Sequence, residues 1–256
     1  MLKEQRQEQI LKAIEKKNGI RTEELEKLLD VSGETIRRDL IQLEMQGKLR
    51  RVHGGAVIDS TTVNELHIDS RRQAQVDEKM AIATEAAELV REGEAVAVVA
   101  STSTAYLGPL LAKKNNLTVI TNSILLAQQV GANDTNQVLL TGGQFWRASN
   151  KLMDTGAENG FLEHRVDKVF LSATGISLRD GVTEYNAREA AVSRAAIVSG
   201  RRVILLNDYS KYDKVAFCRV ADAEDIHMIV TDWNTSREQI ASYEAAGIKT
   251  VRAEKL

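Results

Sequence analysis

Two groups of residues in this chain have types and spacings that could do chemistry. The first is compact. Arg37 and Arg38 stand side by side in DVSGETIRRDLIQLEMQGKLRRVHGGAV, with Arg50, Arg51 and His53 close behind. An arginine fork can bond O6 and N7 of one guanine together, or grip a backbone phosphate. The second group is spread along the chain, where apolar runs end in polar clusters. AVAVVA (95–100) runs into Ser101, Thr102, Ser103 and Thr104. LTVIT (117–121) ends on Thr121, with Asn122 and Ser123 next. QVLLT (137–141) leads to Gly142 and Gly143, and RVILL (202–206) to Asn207, Asp208, Tyr209, Ser210 and Lys211. Hydroxyls, glycines and free backbone N–H groups at helix starts suit a phosphate monoester. Lys211 adds a point charge. Asp208, Glu184 and Asn122 can exchange hydrogen bonds with sugar hydroxyls.

The elements that must carry the first group are short helices. Ile10, Leu11 and Ile14 share one face of a helix over 3–17. Thr22 is placed to cap a second helix with Leu25, Leu28 and Leu29 inward. Asp30-Val31-Ser32 makes a tight turn, and Ser32 suits the N-cap of a third helix that ends at Gly47. Ile36, Leu40 and Leu43 face the core of that helix, so Arg38 points away from it with Glu34 nearby, while Thr35 and Arg37 flank the inner stripe. KLRRVHGGAV then reads as a β-hairpin around Gly54 and Gly55. Three helices with a tight turn before the last, followed by a basic hairpin, make a winged helix-turn-helix. Its third helix would enter a DNA major groove, N-terminal end first, through Ser32, Glu34, Thr35, Arg37 and Arg38. Arg50, Arg51 and His53 would lie along the sugar-phosphate backbone or dip into the minor groove.

The second group needs a sheet. From residue 78 onward, apolar runs of strand length (the four above, with VDKVFLSA at 166–173, MIVTD at 228–232 and KTVRA at 249–253) alternate with helical stretches. The latter include 78–93, Ser103–Lys113, Ile124–Gly131, Asn186–Ser199 and Ser236–Ala246. Buried strands alternating with helices predict an α/β domain with a mainly parallel sheet, whose ligands bind beyond the carboxyl ends of the strands. Residues 58–77 show no sustained period and read as a linker. The expected division is therefore 1–57 for DNA binding, 58–77 as linker and 78–256 for ligand sensing.

Composition narrows the class. The chain has 256 residues, 43% of them hydrophobic, with one proline and one cysteine. Lone Cys218 forms no internal disulfide, suits a reducing compartment and reads as a small buried hydrophobe. No window has the roughly 18 consecutive apolar residues of a membrane span, and MLKEQRQEQ is no secretory signal, so a cytoplasmic protein without a membrane partner is expected. Residues 1–57 hold 12 basic and 10 acidic side chains, against 22 and 26 in the rest, a basic end on an acidic body. No nucleotide P-loop, G-x-G-x-x-G or metal-ligand cluster is present, and His67, His164 and His227 are isolated, so no cofactor or metal is expected.

With these residues in view, the chain resembles the deoxyribose-operon-repressor (DeoR) family of bacterial transcription regulators over nearly all its length. VSGETIRRDLIQLEMQGKLRRVHGGAV matches the family's helix-turn-helix and wing. LTVITNS, TGGQF, DKVFLSATGISLRDGVTEYN and RVILLNDYSKYDKVAF match its rear domain. The resemblance implies a rear domain like ribose-5-phosphate isomerase in fold, which senses a phosphorylated sugar without converting it. One motif departs. Where the family usually carries Asp-Ser-Gly-Thr-Thr, this chain has Ala100, Ser101, Thr102, Ser103 and Thr104, so the acid and the glycine are missing.

The expected function is a repressor of a carbohydrate-use operon, acting as a homo-oligomer (dimer or tetramer) on double-stranded operator DNA and modulated by a phosphorylated sugar. The alternative is a phosphosugar isomerase-like enzyme with an appended DNA module, in which Asp208 or Glu184 beside Lys211 moves a proton. An RNA-binding scaffold is a third reading, opposed by the lack of an aromatic stacking platform in the basic part.

Overall fold

The computed structural model describes residues 3–17, 20–45, 49–52, 54–57, 71–147 and 149–256. Its contacts divide the chain into two units, Met1–Arg71 and Arg72–Leu256.

The first unit contains α1 (Lys3–Lys17), β1 (Ile20–Arg21), α2 (Thr22–Leu29), α3 (Gly33–Met45), β2 (Arg50–Val52) and β3 (Gly55–Val57). Ile10, Ile14, Leu25, Ile36, Leu40 and Leu43 form its buried core, at roughly 1.5–3 kcal/mol for each large apolar side chain. Asp30 closes α2 in the left-handed conformation, and Ser32 Oγ accepts the Thr35 N–H at 3.4 Å to cap α3. Two expectations fail here. Thr22 lies inside α2, and the capping position falls to Arg21, whose side chain makes no cap bond. Leu28 keeps 60% of its surface exposed, because Leu25 and Leu29 alone span the narrow inner stripe of so short a helix. The hairpin gains a third strand, in the order β1-β3-β2. Gly55 permits this, since a Cβ there would collide with the Ile20 carbonyl. Gly47, His53 and His67 lie outside the described residues, as do 58–70 of the expected linker.

At the start of the second unit a short helical turn at 71–73 precedes α4 (Val76–Glu88), which starts two residues before the expected boundary. The unit continues through β4 (Ala95–Val98), α5 (Leu107–Leu111), β5 (Thr118–Thr121), α6 (Ile124–Val130), β6 (Gln137–Leu140), β7 (Gln144–Trp146), β8 (Lys151–Met153) and α7 (Asp154–Leu162). Then come β9 (Val166–Leu171), β10 (Gly175–Ser177), β11 (Gly181–Glu184), α8 (Ala187–Ser199), β12 (Gly200–Leu206), β13 (Cys218–Ala221), β14 (Met228–Thr231), α9 (Arg237–Ala245) and β15 (Lys249–Arg252). Seven strands form one parallel sheet in the order β15-β14-β12-β9-β4-β5-β6.

Alternate strand residues serve two buried layers. Val96, Val98, Phe170, Ile204 and Val230 pack with Ile82, Leu107, Leu111 and Leu126 of α4, α5 and α6. Ala97, Val169, Leu171, Val203 and Leu205 pack with Phe161, Ala190, Val192 and Ala196 of α7 and α8. Burial of both strand faces is why these strands read as unbroken apolar runs. The expected helix over Ser103–Lys113 is a 3₁₀ turn at Thr104–Tyr106 followed by the single turn of α5. The β7–β8 hairpin, α7 and the antiparallel trio β10-β11-β13 were not expected. Cys218 is partly exposed at the start of β13, not buried.

Candidate functional site

On α3 the expected outward face is present. Arg37 and Arg38 are exposed, and the Arg38 guanidinium reaches Glu34 Oε1 of the preceding turn at 3.3 Å. Both side chains stand in solvent, so this pair contributes little and can open for a stronger anion. Ser32 and Thr35 share a 3.0 Å contact between hydroxyls at the helix start. Arg51 donates its backbone N–H to Glu44 Oε1 at 2.7 Å, and its guanidinium lies 3.8 Å from Glu44 Oε2. Glu44 thereby ties the wing to α3, a role that sequence pattern did not indicate. Arg50 lies on β2, with its backbone paired to Val57.

Beneath this surface lies a pair that the sequence reading missed. Arg6 Nε donates to Asp39 Oδ2 at 2.5 Å, and Gln7 Nε2 donates to Oδ1 at 3.2 Å. Asp39 is buried, so α1 locks α3 through a desolvated charge. Asp39 sits beside Arg38 in sequence but on the opposite side of the helix, a distinction visible once the stripe of Ile36, Leu40 and Leu43 is drawn.

In the parallel sheet, strand order reverses direction between β4 and β9. From β4 the chain proceeds outward through β5 and β6, then returns to β9 and proceeds the other way through β12, β14 and β15. Crevices at such reversals are where open α/β sheets bind ligands. Here the crevice collects part of the expected set. Ser103 Oγ lies 3.4 Å from Ser172 Oγ, which donates to Asn207 Oδ1 at 3.1 Å. Asn207 Oδ1 also accepts the Ala173 N–H at 3.0 Å, so β4, β9 and β12 are joined at their carboxyl ends. Glu184 is carried in on β11, where its Oε2 accepts the Thr174 hydroxyl at 2.5 Å. Asp208 is fully buried; its Oδ1 accepts the Ser210 N–H at 2.9 Å. Ser210 and Lys211 follow in a 3₁₀ turn and are half-buried.

Among the described residues, Asp208 Oδ2 and Asn207 Nδ2 have no hydrogen-bond partner although both atoms are buried. Nearby, Asp232 accepts the Tyr209 and Asn234 N–H groups at 2.7 and 2.8 Å. Burial holds its carboxyl above the ordinary range, more than these bonds lower it. Burial also pushes the Tyr212 phenol up to about 12, with Asp232 and Asp208 adding a negative field. The strand ends thus form an acidic, largely desolvated wall.

Most of the other expected residues bond within the protein. The Thr104 hydroxyl donates to the Val99 carbonyl at 2.6 Å and accepts the Ser101 N–H at 2.9 Å, while Ser101 Oγ accepts the Thr104 N–H at 3.0 Å. That reciprocal staple closes the loop around Thr102, whose φ is not positive, so the loop does not require the family's glycine there. The Thr121 hydroxyl donates to the Val98 carbonyl, and Ser123 caps α6 by accepting the Leu126 N–H. Asn122 spends both ends of its amide: Oδ1 accepts the Ala100 N–H at 2.7 Å and Nδ2 donates to the Leu152 carbonyl at 2.9 Å. All three thus brace the backbone at the strand ends.

Gly142 and Gly143 have φ of +78° and +107°, and a Cβ on Gly143 would strike the Met153 carbonyl. Packing against Met153 and α7 accounts for Gly143, whereas Gly142 has open space around it and only its positive φ favours glycine. At about 4.8 Å per strand, β6 lies about 19 Å from β12, too far for Gly142 and Gly143 to share one small phosphosugar with Asp208. Ser172 and Asn207 were missed as site residues, although each is the first polar residue after an apolar run, the signal used for the others.

These features define a winged helix-turn-helix on one unit and a parallel α/β fold on the other. The DeoR-like helix-turn-helix domain matches residues 6–62, and the DeoR C terminal sensor domain matches residues 74–233. The chain belongs to the DeoR family of HTH-type transcriptional regulators and is a regulator, not an enzyme. It is 33% identical to the uncharacterized HTH-type transcriptional regulator YulB of Bacillus subtilis (strain 168), over 97% of this chain and 96% of that one. It is 31% identical to the HTH-type transcriptional regulator GolR of Listeria innocua, over 98% of each chain. It is 30% identical to the glycerol-3-phosphate regulon repressor of Haemophilus influenzae, over 88% of each. Among solved structures it is similar to ribose 5-phosphate isomerase a from Methanocaldococcus jannaschii, with a TM-score of 0.38 and 14% identity over 52% of this chain and 53% of that one. Among the described residues no helix is long and apolar enough to cross a membrane, and no cluster of metal-binding side chains occurs.

Proposed function

We propose that this regulator represses a carbohydrate-utilisation operon, and that a phosphorylated sugar bound at the β4–β9 crevice modulates its grip on DNA. One observation carries the reading. At the reversal of strand order, a buried acceptor (Asp208 Oδ2) and a buried donor (Asn207 Nδ2) have no protein partner, and each such group is costly to leave unpaired. A polyhydroxylated ligand satisfies both at once. The hydroxyls of Ser103 and Ser172, which meet beside Asn207 at the carboxyl ends of β4 and β9, are offered to its phosphate, and Lys211 supplies a counter-charge from the turn after Asp208. The names of relatives such as the glycerol-3-phosphate regulon repressor fit a phosphorylated effector.

Regulation then follows by linkage: the effector shifts DNA affinity only by as much as it prefers one arrangement of the protein over the other. The segment between the two units serves as the linker in this scheme. The test is a pair of titrations, triose, pentose and hexose phosphates onto the protein and the protein onto operator DNA. Lys211→Ala should weaken effector binding by about tenfold to a hundredfold, the loss of one charge-assisted contact, and leave effector-free DNA affinity unchanged. Normal release from DNA by sugar phosphate in this variant would overturn the pocket.

A further inference from the structure

The two outer strands of the parallel sheet differ in how they meet solvent. β15 carries Lys249 and Arg252, both exposed. Such charges are the usual guard on an open edge, because they repel a second strand. β6, at the other end, reads Gln137-Val138-Leu139-Leu140 and carries none. Leu140 is 49% exposed, and Phe145, which follows on β7, is 51% exposed. An uncharged apolar edge left open is a template for strand pairing.

The hydrogen-bond directions say how it can pair. Gln137 donates its N–H to the Leu117 carbonyl at 2.8 Å and Thr141 donates to Thr121 at 3.1 Å, both toward β5. Alternation along a strand therefore turns the N–H and C=O groups of Val138 and Leu140 outward. An antiparallel strand exchanges both bonds only where two outward residues face each other. Val138 opposite the partner's Leu140, and Leu140 opposite the partner's Val138, meets that condition twice.

We propose that two copies of this chain pair through β6, antiparallel across a two-fold axis at Leu139. Four backbone hydrogen bonds cross this interface. Leu139 faces the partner's Leu139, Gln137 faces the partner's Thr141, and no charge meets its like. The strand is complementary to itself, which fits a second copy better than an unrelated peptide. A two-fold contact also closes, so both edges are covered and no further copy can add. A winged helix-turn-helix reading paired half-sites needs such a partner. The same pairing on β15 would bring cations of the two copies together.

The test uses the full chain. Sedimentation should show the wild type as a dimer or a multiple of one, and Leu140→Lys one step lower, with the pairing weakened at least about tenfold. Circular dichroism checks that the variant is folded. Cysteine cross-linking in a Cys218→Ser background gives an independent reading. Leu139→Cys places two thiols across a non-hydrogen-bonded pair, with Cα atoms about 4.5 Å apart, within disulfide reach. Gln137→Cys leaves its copies about 13 Å apart along the strands and should not cross-link. A monomeric wild type overturns the proposal and leaves the edge to a strand from another protein. An unchanged assembly in folded Leu140→Lys also overturns it, as does cross-linking through position 137 but not 139.

Discussion

On the DNA-binding domain, Ser32, Glu34, Arg37, Arg38 and Arg51 of the nominated recognition set face solvent. Arg38 and Glu34 keep 76% and 64% of their side-chain surface exposed, and their only mutual tie is a contact across one helical turn. On the sensor domain, about half of the nominated side chains are buried and bonded within the fold: Thr104 closes its own loop, Thr121 ties β5 to β4, and Asn122 joins the ends of β4, β5 and β8. The first surface works by presenting charge, which needs only a rigid platform. The second works by leaving a few polar atoms unpaired among many that are paired. Which ones are left depends on backbone groups that no local pattern reveals.

The comparison breaks most sharply at the platform. Asp39→Ala leaves Arg6 half-desolvated without its counter-charge, and should cost the DNA-binding domain about 3–5 kcal/mol. Thermal melting of the full chain should show that domain unfolding at lower temperature while the sensor transition stays in place. If both transitions stay put, the Arg6–Asp39 lock is not structural.

Asn122→Ala tests the other side. If Asn122 is a clamp, losing two bonds to buried backbone should destabilise the sensor domain by roughly 2–4 kcal/mol. A variant with wild-type stability and selective loss of effector binding would return Asn122 to the list of ligand contacts.

The exposed arginines divide by what they touch. Arg38→Ala should weaken operator binding by about 1–3 kcal/mol and relax preference at one base pair, whereas Arg51→Ala should weaken all sequences alike and flatten the salt dependence by about one unit. Identical behaviour in operator titrations at several salt concentrations would remove the distinction between helix and wing.

The smallest expected effect concerns protons. The Asp232 carboxyl is held above its ordinary range by burial, so the folded chain takes up a proton before the unfolded one. Its contribution to stability therefore grows as pH falls through the raised value toward the unfolded value of about 3.9, and is absent well above it. Asp232→Asn should flatten that part of the profile in denaturant titrations. Parallel wild-type and variant profiles would show that Asp232 is not the group concerned.

Much of the fold was legible in sequence. AVAVVA and RVILL read as strands because both faces of a parallel sheet are buried, QVLLT read as one although β6 is a partly exposed edge, and Ile36, Leu40 and Leu43 drew the inner face of α3. The site was legible only to the level of strand ends. Sequence spacing shows that Gly142 and Asp208 both follow strands, but not that three strands lie between them. The β7–β8 hairpin was missed because its strands are three residues each, too short to show alternation. Leu28 was assigned inward by period alone, where the narrow contact face of α2 left it outside.

The loop that holds itself shut with Ser101 and Thr104 separates shape from contact. Its backbone depends on the two residues that bond each other, and the half-buried position between them, Thr102, makes no demand on that closure. A change of side chain there alters what the loop offers a ligand without altering how the loop folds. If this loop contacts the proposed effector, a single substitution at Thr102 can change the ligand recognised while the fold and the helix-turn-helix stay as they are.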